Sequence, residues 1–175
     1  MNISQTNSKT AIKCLLALAS VTLVGQSALA DRTRVFNPFA LVKKANVAMN
    51  GIDVVTEQLK HSLATVKGNL EDLDARIRAG EAAGVLNRDL EAIRVRLNDA
   101  NSDVRGMSRD AASVHALLKA ARNMLRIFPD PRLDAAISRA DARFLQVSGR
   151  VVEQKTQLDG LSAFADELKQ KIDGR

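Results

Sequence analysis

The side chains in this 175-residue sequence best suited to chemistry are two histidines, His61 and His115, one cysteine, Cys14, and twenty carboxylates. A histidine pair can hold zinc or exchange a proton near neutral pH. Here the two fall in different segments, with no His-Glu-x-x-His pattern around either. In the seven-residue repeat described below, His61 takes an outward f position and His115 a flanking e position, so both are expected as ordinary surface residues. Neither has an evident Ser and Asp partner, and there is no G-x-S-x-G, no P-loop and no G-x-G-x-x-G. The carboxylates stand near bases at helical spacing, as in Glu91 with Arg94 or Asp166 with Lys169, where ion pairing is the expected role. A di-iron bundle needs Glu and Glu-x-x-His projecting inward, and no acid takes an inward position in this sequence. The expectation is a protein that is not an enzyme and holds no metal or cofactor.

Cys14 belongs to a processing segment. Lys9 and Lys13 make a positive start, residues 14–25 (CLLALASVTLVG) form an apolar run, and Ala28-Leu29-Ala30 is an A-x-A peptidase site. A membrane span needs about 20 apolar residues, and Gln26 and Ser27 interrupt this stretch. Residues 1–30 are therefore expected as a cleaved signal peptide, with retention as an anchor the alternative. Lys13 stands where a lipoprotein signal needs a small residue, so Cys14 is not expected to be lipidated. Cleavage leaves no cysteine, hence no disulfide and no thiol chemistry. It also removes two of the 26 Lys and Arg and none of the 20 acids, leaving a mild +4. Nucleic-acid binders show clearer basic stripes and stacking aromatics; with no Trp or Tyr, no nucleic-acid partner is expected.

What remains is dominated by periodicity. After an extension, residues 31–37, Asn37-Pro38 reads as a helix cap followed by Pro at the first helical position. From Val42 the apolar positions step by 3 and 4: Val42, Ala45, Met49, Ile52, Thr56, Leu59, Leu63, Val66, Leu70, Leu73 and Ile77. A second seam runs Leu86, Leu90, Ile93, Leu97, Ala100, Val104, Met107, Ala111, Val114, Leu118, Ala121, Leu125 and Phe128, with Asn87 as candidate cap. It passes unbroken through Asn101-Ser102-Asp103 and Gly106, which predicts one helix there. Pro129-Asp130-Pro131 stops it. The third seam is Leu133, Ile137, Ala140, Phe144, Val147, Val151, Gln154, Leu158, Leu161, Ala165, Leu168 and Ile172. A 3.5-residue period sustained this long predicts an all-α, elongated, antiparallel three-helix coiled-coil bundle, up-down-up. Its helices are expected at approximately 38–79, 87–128 and 131–173, each about 60 Å long. The exceptions Thr56 and Gln154 fall at similar height halfway along. There they either fix register or mark a flexible waist near Gly106 and Gly149.

The two halves of this rod differ in charge. Residues 31–55 and 109–150 carry twelve Lys and Arg against six acids, while the rest of the expected mature chain is −2. Four of the five Phe lie in the basic half. The candidate partner- or membrane-binding end comprises Phe36, Phe39, Lys43, Lys44, Arg122, Arg126, Ile127, Phe128 and Arg132. Apolar residues off the seam (Leu41, Val55, Leu117, Met124, Ile127) widen the stripe at the same end. Either this cluster seals the bundle, or it meets an acidic partner or an anionic membrane surface. The functional expectation is an exported, periplasmic or secreted coiled-coil protein, a structural, adaptor or assembly component of the bacterial envelope working through protein contacts. A peripheral lipid-binding protein is the alternative. A monomer or small homo-oligomer is expected, since one seam per helix is already used within the chain.

Overall fold

The computed structural model describes residues 37–174. The expected leader with its Ala28-Leu29-Ala30 site, Cys14 and Phe36 lie outside them. Three helices make up nearly all of the described chain: α1 (Pro38–Arg78), α2 (Ala83–Ile127) and α3 (Pro131–Asp173). Among the described residues there is no strand.

Two helices start by the same device. Asn37 accepts a hydrogen bond from the Phe39 amide, and Asp130 accepts from the amides of Arg132 and Leu133. In each case Pro follows at the first helical position, where a missing N–H costs nothing. The α1–α2 turn closes differently. Gly80 adopts φ +82°, the Gly80 amide donates to the Ile77 carbonyl at 3.1 Å, and the Glu81 amide donates to that of Arg76 at 3.2 Å. That is the Schellman arrangement, which needs a left-handed residue where only Gly fits without strain. The Arg76 and Glu81 side chains then pair at 2.6 Å across the same turn, where other such turns place an apolar contact.

Asn87 does not cap α2. The helix begins at Ala83, ahead of the expected start, with Ala82 at the cap and no side-chain bond there. The turn closes at Glu81, so Ala82 is left as the cap and Ala83 and Gly84 join the helix. Asn87 instead accepts a hydrogen bond from Lys169 on α3 at 3.0 Å. α2 continues unbroken through Gly106 to Ile127.

The seams form the core. All eleven expected positions of α1 are buried, as are ten of thirteen in α2 and eleven of twelve in α3. Ala111, Leu125 and Phe144 are half-buried, and Phe128, counted as seam, is instead 69 % exposed because the helix ends one residue before it. Each buried Leu removes its whole side chain from water, about 2 kcal/mol apiece before chain entropy is charged.

Cross-helix partners fix the directions. Thr56 meets Met107 and Arg76 meets Asp89, so α1 and α2 run antiparallel. Arg94 with Asp166, and Arg122 with Asp141, do the same for α2 and α3. Asp53 with Arg143 and Arg150, then Asp74 with Lys171, rise together, so α1 and α3 are parallel. The bundle is up-down-up, and the start of α1 and the end of α3 stand at opposite ends. Halfway along, the Thr56 hydroxyl lies 2.8 Å from the Ile52 carbonyl and 3.3 Å from Met107 Sδ. Gln154 is 5 % exposed, and its Oε1 has no hydrogen-bond partner among the described residues.

Candidate interaction surface at the basic end

The end formed by the start of α1, the end of α2 and the start of α3 gathers eight of the nine candidate residues; the ninth, Phe36, lies outside the described chain. Of the described Phe residues in the basic half, Phe144 is half-buried against the core, whereas the other two are not. Phe39 is 41 % exposed, and Ile127 and Phe128 are each 69 % exposed. The reason is geometric: the last buried layers are already filled by Val42, Ala121 and Leu133, so residues beyond them project past the core. Leu41, Val55 and Leu117 do widen the core at this end, packed half-buried against it.

Charge here is uncompensated. Residues 37–49 and 119–139 contain seven Lys and Arg against two acids, Asp130 and Asp134. Arg122 pairs with Asp141, and the Asp130 carboxylate is engaged with the α3 N-terminus. Among the described residues Lys43, Lys44, Lys119, Arg126, Arg132 and Arg139 have no acidic partner, and all six are exposed. Arg132 stands in the first turn of α3, where the dipole disfavours a cation by roughly 0.3–1 kcal/mol, and Lys43 and Lys44 stand in the second turn of α1.

At the opposite end most cations among the described residues are paired, Arg88 and Arg96 excepted. Arg76 joins Asp72, Glu81 and Asp89; Lys171 joins Asp74 and Glu167; Lys169 joins Asp173; Arg94 joins Glu91 and Asp166. The expected Asp166–Lys169 pair is thus replaced by two cross-helix contacts, from Arg94 to Asp166 and from Lys169 to Asn87. Asp74, only 8 % exposed, is the one buried acid among the described residues. Its carboxyl is held below the ordinary carboxylate range, chiefly by the Arg78 guanidinium and then by Lys171, against the opposing effect of burial. Glu81 is shifted the same way by Arg76.

These links between helices are what the sequence reading missed. The signal was present. In the seven-residue repeat Asp53 and Asp74 fall at e of α1, and Arg143, Arg150 and Lys171 fall at g of α3, the positions that face each other in a parallel pair.

The histidines stay apart. His61 is exposed on α1, while His115 lies on α2 with its ring centroid 6.0 Å from that of Phe144. Among the described residues no three His, Cys, Asp or Glu side chains converge as metal ligands, and no helix is long and apolar enough to cross a membrane. A shallow open groove near Arg76, Asp89 and Arg96 belongs to the ion-paired end. No protein-family model matches this chain, and no curated protein matches it in sequence.

Proposed function

We propose that this chain is an exported, non-enzymatic coiled-coil protein that serves as a structural or adaptor component of the bacterial cell envelope through protein–protein contacts. One observation supports it most. The three seams are closed within the chain, while apolar side chains recur seven residues apart on outer faces: Val47 (61 % exposed) and Val54 (58 %) on α1, Leu145 (71 %) and Val152 (63 %) on α3. A surface repeat in phase with the core repeat suits a partner helix lying along the rod. The leader-like residues 1–30 support export.

Two measurements test the reading. After expression with a C-terminal tag, fractionation should recover a chain starting at Asp31 outside the cytoplasm; unprocessed cytoplasmic chain would remove the export part. Photo-crosslinkers at Leu145 and Val152 should trap one stoichiometric protein from envelope extract, and crosslinkers at Arg88 should not. Equal, diffuse labelling from all three positions would overturn the adaptor part.

A further inference from the structure

We infer that the basic end docks end-on against an anionic phospholipid surface, which goes beyond the protein contacts proposed for the helix faces and does not depend on them. Among the described residues, the cations at this end without an acidic partner are spread over all three helices. Each helix contributes two: Lys43 and Lys44 from α1, Lys119 and Arg126 from α2, Arg132 and Arg139 from α3. All six fall at b or c positions of the repeat, on outward faces, and all stand within about 15 Å of the end at 1.5 Å rise per residue. They therefore ring the bundle instead of lining one groove. An acidic peptide or helix could reach only one side of such a ring. A plane of anionic headgroups approached end-on meets all of it.

At the tip of the bundle, beside these cations, stand exposed apolar residues. Ile127 ends α2 and Phe128 follows it in the turn to α3, each 69 % exposed, and Phe39 is in the first turn of α1, 41 % exposed. Apolar side chains at a tip flanked by long cations suit the boundary between headgroups and acyl chains, the cations extending outward to phosphate. Each cation near an anionic surface contributes about five-fold in partitioning at low salt. Burying the tip adds an attraction that salt does not screen. Among the described residues within the first two turns of α1 and α3, caps included, and the last two of α2, the acids are Asp130, committed to the α3 cap, and Asp134.

The chain contains no Trp, so a single one reports locally. The full-length chain carrying Phe128→Trp is mixed with phosphatidylcholine vesicles, with and without phosphatidylglycerol, and compared with Phe164→Trp, which places the reporter at the ion-paired end. The expected result is a blue shift of the indole emission in the Phe128→Trp chain with phosphatidylglycerol only, and no shift in the Phe164→Trp chain. Combining Phe128→Trp with Lys43→Glu, Lys44→Glu, Arg126→Glu and Arg132→Glu should weaken the shift at least tenfold in lipid concentration. The same number of reversals at Arg88, Arg94, Arg96 and Lys169 should leave it. Circular dichroism checks that each variant remains helical. No shift with anionic vesicles, equal shifts with both vesicle types, or a shift abolished equally by both sets of reversals would overturn the proposal. So would a shift at the tip reporter produced by polyglutamate but not by vesicles, which would assign the end to an acidic protein. Loss of the helix-face partner leaves this readout unchanged, so the two proposals fail separately.

Discussion

Gln154 is the residue whose cost is easiest to isolate. A carbonyl buried without a donor forfeits its hydration, about 1–3 kcal/mol, and Leu has a similar volume. Gln154→Leu is therefore expected to raise stability by about 1 kcal/mol, read as a higher urea midpoint with an unchanged slope. A fall in the midpoint would mean that the amide is satisfied in solution. Thr56, the other polar interruption, is a milder case because its hydroxyl reaches the Ile52 carbonyl within its own helix. Both were visible as exceptions to the seam, but periodicity could not say which would find a partner. Asp74 carries a pH signature of definite sign. Its folded pKa is depressed, so its ion pairs add stability above the unfolded value, about 3.9, and that stability is lost as pH falls through the folded value. Melting temperature should drop from about pH 5 downward, with Glu81 acting in the same direction. In Asp74→Asn the drop should be shallower and the neutral-pH melting temperature lower. Identical acid limbs in the two proteins would show that Asp74 is not paired.

At the level of elements, the seams were legible because a 3.5-residue period needs only residue type, and the two Asn/Asp–Pro starts were legible because their chemistry is local. The α2 start was not. Asn87 has good capping chemistry, but the position of the turn is set three residues upstream of the helix by Gly80, whose backbone sign no side chain announces. Gly80→Ala should destabilise by about 1 kcal/mol through its positive φ, and Gly80→Asn by less, since Asn tolerates that region; equal melting temperatures would show that the turn relaxes. The α1–α3 pairing was also hidden, since it depends on knowing which helices are parallel. Asp53 is its clearest member, held by Arg143 at 2.9 Å and Arg150 at 3.0 Å. Asp53→Ala should cost about 0.5–1 kcal/mol at low salt and less at high salt. A cycle with Arg143→Ala should show coupling of a few tenths of a kcal/mol; strict additivity would demote the pair to a surface contact.

For the whole molecule, periodicity placed Phe128 in the seam, where the structure leaves it exposed. Composition counts Phe as core material, and only the length of each helix shows that Ile127 and Phe128 fall past the last filled layer. The proposed membrane contact and the proposed partner faces both follow from what three closed seams leave outside. An odd number of helices has one more consequence. Pro38 and Asp173 sit at opposite poles, about 60 Å apart at 1.5 Å rise per residue. Anything anchored through the first pole and tugged through the second would load every ridge in shear at once, unlike a two- or four-helix hairpin, whose adjacent termini peel apart one layer at a time. Such a strut keeps whatever it carries at a set distance from its footing, and it resists stretching along its long axis best.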